Sequence, residues 1–255
     1  MKSDKKLAVV TGGSAGIGRE IALQLAADGW DIAINNLRED AQVESLINAC
    51  GKLGRDCFFS PCDVGSKAEV QEFYLTVEQR FGTAPGLIVN NAGVQTWAPL
   101  LELQECDWDK VIRTNLKGSF LNIQLGARMM VAHEVKGSIV NIGSGCNKLA
   151  FPNLVDYAAS KGGIEMLTKS AAVELGPFGI RVNCVAPGGI LIDRTREESP
   201  DYEKVWSKVA PLGRVGMPAD IANAVAYLAD PRASFVTGQT LWVDGGVFSK
   251  ANWPY

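Results

Sequence analysis

Short apolar runs of strand length alternate along this chain with longer segments in which apolar residues recur at helical spacing. Strands that are buried on both faces read as continuous apolar runs, and a strand–helix–strand rhythm is typical of a parallel sheet covered by helices on both faces. We therefore predict an α/β fold with a doubly wound, seven-stranded, mainly parallel sheet, formed by a single domain over residues 1–255. The predicted strands cover residues 7–11, 32–35, 57–60, 87–90, 138–142, 181–186 and 240–243. The predicted helices cover residues 16–27, 40–52, 66–80, 107–132, 156–175 and 218–228.

The charge and cysteine content of the chain limit which partners it can bind and which cellular compartment suits it. The chain carries 25 basic and 28 acidic residues, which leaves no broad basic face for nucleic acid or an anionic membrane. The N-terminal segment has no signal-peptide pattern, and no apolar stretch approaches the roughly 20 residues that span a bilayer. The six cysteines form no C-x-x-C motif and fit reduced thiols. We expect a cytoplasmic protein that binds neither nucleic acid nor membranes.

Two segments depart from the regular alternation. Residues 188–213 mix charged and aromatic side chains, and we predict either a substrate lid inserted in the domain or a solvated surface loop. Residues 248–255 end in Trp253-Pro254-Tyr255, ring-bearing residues that are costly to leave in water. We expect this tail to pack either across a subunit interface or within its own subunit.

A glycine-rich turn joins the first predicted strand to the first predicted helix. Gly12, Gly16 and Gly18 stand at the position where an open α/β sheet binds a dinucleotide pyrophosphate at a helix N-terminus. Glycine permits the tight turn and the close approach of backbone N–H groups to phosphate. We predict that these glycines bind a dinucleotide together with Ser14 and Ile17. The same glycines also fit an ordinary strand-to-helix connection.

Further candidate residues follow the third and fourth predicted strands. Asp63 and Val64 come after the third strand, and Asn91, Ala92 and Gly93 come after the fourth. The carboxyl ends of parallel strands meet at one edge of the sheet, and that edge holds the ligand crevice in this architecture. We therefore assign these residues to the cofactor site.

Tyr157 and Lys161 lie four residues apart on a predicted helix, so they share one face. A phenol has a pKa near ~10, and an adjacent cation lowers that pKa by favouring the phenolate. Ser144 follows the fifth predicted strand, so its hydroxyl is expected at the same edge as the glycine turn. We predict that Tyr157 transfers a proton, while Lys161 and Ser144 assist it.

Together these motifs resemble the short-chain dehydrogenase/reductase family, and they span nearly the whole chain. The matching motifs are Thr11-Gly-x-x-x-Gly-x-Gly18, Asn90-Asn-Ala-Gly93, Ser144, Tyr157-x-x-x-Lys161 and Pro187-Gly188. Several motifs in the right order and spacing make the resemblance specific. It implies a Rossmann-type single domain, an NAD(P)(H) cofactor and usually a homotetramer.

The resemblance also implies roles for four catalytic residues. Tyr157 is the general acid in reduction and the base in oxidation, and Ser144 orients the carbonyl. Lys161 holds the nicotinamide ribose and lowers the pKa of Tyr157. Asn115 matches the family residue that anchors a proton-relay water. Hydride transfer itself belongs to the cofactor.

A segment after the sixth predicted strand matches the family's nicotinamide contact. It contains Pro187, Gly188 and Ile190, and the backbone of Ile190 is expected to contact the carboxamide. Ile192 stands where family members often carry threonine. A carboxamide hydrogen bond is therefore either missing or supplied elsewhere.

The end of the second predicted strand bears on cofactor choice. NAD-preferring relatives usually carry an acid there, which binds the 2′-hydroxyl of the adenosine ribose. This chain has Asn36 instead, followed by Arg38, so no carboxylate repels a 2′-phosphate and a guanidinium can bind one. We predict that NADP(H) is favoured and NAD(H) is possible. Arg38 alternatively is a surface residue at the start of a helix.

The residues predicted to border the substrate mix polar and apolar side chains. They are Gln95, Trp97, Ser144, Cys146, Asn147 and Tyr157. Such a pocket suits a small polar ketone or 3-oxo compound, as in 3-oxoacyl-ACP reductase-like family members. It also suits a sugar or polyol, as in glucose dehydrogenase-like members.

Two further questions concern function, namely whether the protein turns over substrate and whether it binds a metal. The fold alone also allows an NADP(H)-sensing regulatory or scaffold protein that does not turn over substrate. The lone His133 has no matching cluster of ligands, so we expect no metal site.

Overall fold

One seven-stranded sheet organises the computed structural model, which describes residues 6–251. Its strands are β1 (Leu7–Thr11), β2 (Asp31–Asn36), β3 (Cys57–Pro61), β4 (Leu87–Asn90), β5 (Ser138–Ile142), β6 (Arg181–Pro187) and β7 (Thr240–Val243). They lie in the order β3-β2-β1-β4-β5-β6-β7, and each neighbouring pair is parallel. The predicted doubly wound sheet is confirmed, with β2 one residue longer at each end than predicted.

Helices cover both faces of this sheet. They are α1 (Gly16–Ala27), α2 (Ala41–Lys52), α3 (Lys67–Phe81), α4 (Glu105–Val111), α5 (Gly118–Ala132), α6 (Val155–Leu175), α7 (Asp193–Glu198), α8 (Tyr202–Val209) and α9 (Pro218–Ala229). Successive side chains of a strand point to opposite faces. Ala8 and Val10 of β1 accordingly join one core cluster with α1, α2 and α9, whereas Leu7 and Val9 join a second with α3, α5 and α6.

The strand order places a crevice at one edge of the sheet. From β1 the chain first builds outward through β2 and β3, and then crosses over to β4 on the other side of β1. Ligands of open α/β sheets bind at such a reversal, outside the carboxyl ends of the strands. The predicted cofactor and catalytic residues follow these strand ends.

The helix predicted over residues 107–132 is not continuous. A π-helical turn, Ile112–Lys117, separates α4 from α5. The spacing of apolar residues continues across this turn, so helical periodicity alone did not indicate it. Single π-turns within α-helices occur frequently at functional sites, and this one contains Asn115.

The irregular segment 188–213 folds back over the end of β6. It contains α7 and α8, and a Cβ atom built on Gly189 would lie 2.3 Å from the ring of Trp206. This close packing favours the predicted lid over the solvated loop. The predicted packing of Trp253-Pro254-Tyr255 lies outside the described residues. Among residues 6–251, no helix is both long enough and apolar enough to span a membrane.

Candidate active site

Side-chain hydrogen bonds join the carboxyl ends of β1 and β4. The hydroxyl of Thr11 accepts hydrogen bonds from the N–H groups of Asn91 and Ala92, both at 3.0 Å. The side-chain nitrogen of Asn91 donates to the carbonyl oxygens of Thr11 and Gly12, also at 3.0 Å. These bonds bring the glycine turn and the residues after β4 together, as predicted from their positions at the strand ends.

Gly18 and Gly16 of the turn are required for different structural reasons. A Cβ atom on Gly18 would lie 2.3 Å from the carbonyl oxygen of Gly12, so close packing requires glycine there. Gly16 has a φ of +52°, and a Cβ on it would contact only Ile192, at 3.8 Å. The side chain of Ile17 packs into the core. The open side of the turn is therefore lined by backbone, which fits the pyrophosphate of a dinucleotide.

The second strand contributes two of the predicted cofactor residues. The side-chain nitrogen of Asn36 donates a hydrogen bond to the hydroxyl of buried Ser14 at 2.8 Å, which ties the end of β2 to the glycine turn. Arg38 follows on the exposed surface. Within the part of the chain that the structure describes, its guanidinium has no carboxylate partner.

Asp63 and Val64 have strong intramolecular contacts of their own. One oxygen of Asp63 accepts the N–H of Gly65 at 2.8 Å, and the other pairs with Arg113 at 2.7 Å. Val64 is buried, and a Cβ built on Gly118 would lie 2.8 Å from its side chain. The carboxylate thus connects the loop after β3 to the π-turn.

Lys161 and Tyr157 lie on one face of α6, as their spacing predicts. The Nζ of Lys161 donates a hydrogen bond to the carbonyl oxygen of Ile142, at the end of β5, at 2.7 Å. The same ammonium lies 5.4 Å from the centroid of the Tyr157 ring. Lys161 is only 4% exposed, so its charge is held inside the protein directly behind the phenol.

Burial is the largest cause of the pKa shifts of Tyr157 and Lys161. It raises the pKa of Tyr157 to about 12, opposed by the hydrogen bond with Ser144 and by the positive charge of Arg194. Burial also lowers the pKa of Lys161 to about 8. The predicted lowering of the Tyr157 pKa is therefore wrong for this structure, because desolvation of the phenol outweighs the charges around it.

Ser144 is held in place by the turn that follows β5. Its hydroxyl accepts the N–H of Cys146 at 3.2 Å, and its own N–H donates to the side-chain oxygen of Asn147 at 3.1 Å. The side-chain nitrogen of Asn147 contacts the sulfur of Cys184 at 3.6 Å. The side chain of Asn147, which is predicted to contact substrate, holds the Ser144 turn. Burial raises the pKa of the Cys146 thiol, consistent with a wall residue.

Asn115 is completely buried and connects three elements. Its side-chain nitrogen donates to the carbonyl oxygen of Val94 at 2.9 Å and to the hydroxyl of Ser160 at 3.0 Å. Its side-chain oxygen accepts the N–H of Val94 at 2.8 Å. Gly93 lies against it, because a Cβ there would be 3.3 Å from that oxygen. The π-turn thus presents Asn115 between β4 and the helix that carries Tyr157.

The predicted nicotinamide segment follows β6 and is rigid. A Cβ on Gly188 would lie 2.7 Å from the Cα of Asp244, and Ile190 is buried. Ile190 and Gly216 form an isolated parallel bridge. The hydroxyl of Thr195, three residues after Ile192, accepts the N–H of Ile192 and donates to the carbonyl oxygens of Ile190 and Ile192. Pro187 ends the strand, so the segment leaves the sheet at the crevice.

Two residues of the predicted lid lie at the site and were not predicted individually. The positive charge of Arg194 opposes the raised pKa of Tyr157, which places this guanidinium within electrostatic reach of the phenol. The ring of Tyr202 lies 5.8 Å from that of Trp206, centroid to centroid, in a tilted arrangement, and the backbone of Ile190 is close enough to lower the pKa of Tyr202. The mixture of charged and aromatic residues in segment 188–213 was the signal in the sequence.

Comparison with known proteins identifies the family. A family model described as enoyl-(acyl carrier protein) reductase matches residues 12–248. The chain is 40% identical over 243 residues to the 3-oxoacyl-[acyl-carrier-protein] reductase FabG of Staphylococcus aureus, covering 95% of this chain and 98% of that protein. The chain belongs to the short-chain dehydrogenase/reductase family.

Other members of the short-chain dehydrogenase/reductase family are similarly close. One from Armillaria gallica is 38% identical over 253 residues, which cover 96% of this chain and 97% of that protein. The crystal structure of a putative gluconate dehydrogenase from Agrobacterium tumefaciens superposes with a TM-score of 0.90 at 33% identity, covering 96% of this chain and 97% of that one. A putative short-chain alcohol dehydrogenase from Sinorhizobium meliloti gives 0.91 at 31% identity over the same shares.

Family membership confirms the predicted reaction class. This short-chain dehydrogenase/reductase is an oxidoreductase that acts on carbonyl and alcohol groups, and its family uses a nicotinamide cofactor. Residues 6–251 contain no group of three or more histidine, cysteine or acidic side chains that could hold a metal ion.

Proposed function

We propose that this oxidoreductase uses NADPH to reduce a small polar ketone or 3-oxo compound. The observation that carries the proposal is the position of Tyr157 beside the buried Lys161, whose ammonium is fixed on the carbonyl oxygen of Ile142 and lies 5.4 Å from the centroid of the phenol ring. Ser144, after β5, lies close enough to lower the pKa of Tyr157, so both hydroxyl groups are available to one substrate oxygen. The 40% identity to 3-oxoacyl-[acyl-carrier-protein] reductases over 95% of this chain supports a 3-oxo substrate.

In this mechanism, Ser144 donates a hydrogen bond to the carbonyl oxygen and Tyr157 delivers the proton to that oxygen. The nicotinamide, when bound, supplies the hydride. Lys161 stabilises the phenolate that remains after proton transfer, because its ammonium is fixed behind the ring. The raised pKa keeps Tyr157 protonated near neutral pH, which is the state that reduction requires.

The proposed cofactor site combines backbone and side chains from five strand ends. The residues proposed to hold NADP(H) are Gly12, Ser14, Gly16, Ile17, Gly18, Asn36, Arg38, Asp63, Val64, Asn91, Ala92, Gly93, Tyr157, Lys161, Pro187, Gly188 and Ile190. Gln95 and Trp97, with Ser144, Cys146 and Tyr157, border the substrate. Segment 188–213 acts as the lid of this single domain, because Arg194 and Tyr202 lie at the phenol and the nicotinamide segment.

A sugar or polyol dehydrogenase is the second candidate. The structure of the putative gluconate dehydrogenase, 33% identical over 96% of this chain, favours it. The same catalytic residues then work in the opposite direction, with Tyr157 as the base.

A substrate comparison separates the two candidates. Purified protein is assayed with acetoacetyl-CoA and NADPH, and separately with gluconate or glucose and NADP⁺. We expect kcat/KM for acetoacetyl-CoA to exceed that for either sugar by about 10²-fold, the scale on which pockets separate dissimilar substrates. The reverse order would replace the proposed function with the second candidate.

Arg38 is the proposed determinant of cofactor choice. Arg38→Ala should raise KM for NADPH about tenfold or more and leave KM for NADH nearly unchanged, because only NADPH carries the 2′-phosphate that a guanidinium binds. Arg232→Ala is the matched control, since Arg232 is also exposed but pairs with Asp230 after α9. Equal effects of Arg38→Ala on both cofactors would contradict the assignment.

We also propose that the protein is a cytoplasmic homotetramer. Large apolar side chains stay exposed on the outer faces of α5 and α6 and just beyond α6, including Phe120, Met166, Val173 and Phe178. Contiguous exposed apolar surface usually marks an interface. A solution mass of about four chains in analytical ultracentrifugation is the expected result.

A further inference from the structure

The loop that follows β4 is tied down at every second residue. This loop, residues 94–98, is called the strap below. Val94 is bonded through both its N–H and its carbonyl oxygen to Asn115. The hydroxyl of Thr96 donates a hydrogen bond to Asp156, and the N–H of Ala98 donates to the carbonyl oxygen of Asn153 at 3.0 Å. The positions between these ties carry Gln95 and Trp97.

The partners of the strap all belong to the catalytic framework. Asn115 lies in the π-turn, and Asn153 and Asp156 are at the start of α6. Asp156 directly precedes Tyr157, and its second oxygen accepts the Tyr157 N–H at 2.7 Å. One carboxylate therefore holds both the strap and the first turn of the helix that carries the phenol.

Asp156 is an unusual residue to bury. Its side chain is 1% exposed, and within residues 6–251 it and Lys161 are the buried charged side chains. The described residues include no cation paired with it. An unpaired buried carboxylate is costly, and the helix N-terminus and the Thr96 hydroxyl offset only part of that cost. A neutral residue would avoid the cost altogether, so the carboxylate is best explained by the contacts it makes.

We propose that Asp156 and Thr96 are positioning residues that lock the strap to the catalytic helix. The lock sets the distance between Tyr157 and the two strap side chains, Gln95 and Trp97. The inference rests on the proposed function in one respect, namely that Gln95 and Trp97 border the ketone. Trp97 is 61% exposed, so its ring is free to contact substrate. The position of that ring depends on the strap that carries it.

Thr96→Val tests the lock, because valine keeps the shape of threonine and removes the hydroxyl. We expect it to raise KM for acetoacetyl-CoA about tenfold, the scale of one hydrogen bond, with KM for NADPH unchanged within about twofold. Thr96→Ser restores the hydroxyl and should return KM to the wild-type value. Asp156→Asn, which keeps one acceptor oxygen of the two, should raise KM in the same direction.

The control is Thr168, a buried threonine on α6. Thr168 donates to the carbonyl oxygen of Ile164 and accepts from Asn141, far along α6 from the strap. Thr168→Val should lower thermal stability as much as Thr96→Val without changing KM. An equal rise of KM in Thr168→Val would overturn the proposal, because the effect would then reflect general loss of stability.

Amide hydrogen exchange tests the lock without any substrate. In Thr96→Val the amide of Ala98 should exchange about tenfold faster than in the wild type, whereas amides of β5 should not change. Unchanged exchange at Ala98 would overturn the proposal even if a ketone is reduced. If no ketone is reduced but exchange accelerates as expected, the lock is supported and the proposed function alone fails.

Discussion

Tyr157→Phe is expected to lower kcat for ketone reduction by about 10³-fold, because phenylalanine removes the hydroxyl that delivers the proton. The ring and its packing over Lys161 are retained, so KM for NADPH should stay within about twofold of the wild-type value. Steady-state kinetics with acetoacetyl-CoA and NADPH measure both quantities. Retention of kcat would contradict the role of Tyr157 in proton transfer.

Tyr74→Phe is the matched control for this variant. Tyr74 is fully buried, whereas Tyr157 is half-buried, and the hydroxyl of Tyr74 donates to the carbonyl oxygen of Asn122 at 3.4 Å, on the opposite side of the sheet from α1. Removing either hydroxyl should cost at most about the energy of one hydrogen bond, so the two variants should lose similar stability. Only Tyr157→Phe should lose activity. A matching fall of kcat in Tyr74→Phe would attribute the effect to structure.

Lys161→Met is expected to lower kcat by about 10²-fold, because it removes the charge that stabilises the phenolate. It should also change how stability depends on pH. Burial lowers the pKa of Lys161 from 10.5 to about 8, so between these values the unfolded chain binds the proton and the folded chain does not. The wild-type free energy of unfolding should therefore rise with pH across this window by about 3 kcal/mol relative to the variant.

Chemical denaturation at pH 7.5, 9 and 10 measures this dependence. Lys169→Met is the control, because Lys169 lies on the same helix but is exposed and pairs with Glu165 at 2.8 Å. That variant should keep full activity and follow the wild-type pH dependence. A constant difference in stability between wild type and Lys161→Met at all three pH values would contradict a buried, easily deprotonated ammonium.

The fold was predictable because its signals are local and repeated. Each strand of the sheet contains a short apolar run, and β1, β4, β5 and β7 begin and end where the sequence predicts. The site was predictable in outline for the same reason. Residues placed after parallel strands must meet at one edge, and Thr11 and Asn91 do so through direct hydrogen bonds.

The remaining features depend on contacts between distant residues. The raised pKa of Tyr157 follows from desolvation by the residues packed around it, which spacing along α6 does not reveal. Asn147 was predicted to border the substrate, and the structure adds that its side chain turns back onto Ser144. The tie between Thr96 and Asp156 joins residues 60 positions apart, and neither belongs to a recognisable motif.

The π-turn also limits how the chain length can vary. Each residue of an α-helix turns the chain by about 100°, so deleting one residue between Ile112 and Lys117 would convert the π-turn to α-helix and rotate α4 relative to α5. Asn115 would then leave Val94 and Ser160, and Arg113 would leave Asp63. Insertions and deletions should therefore be tolerated in the surface loops of this protein but not in this turn. Because the turn lies within a helical region, its fixed length is hard to recognise from sequence.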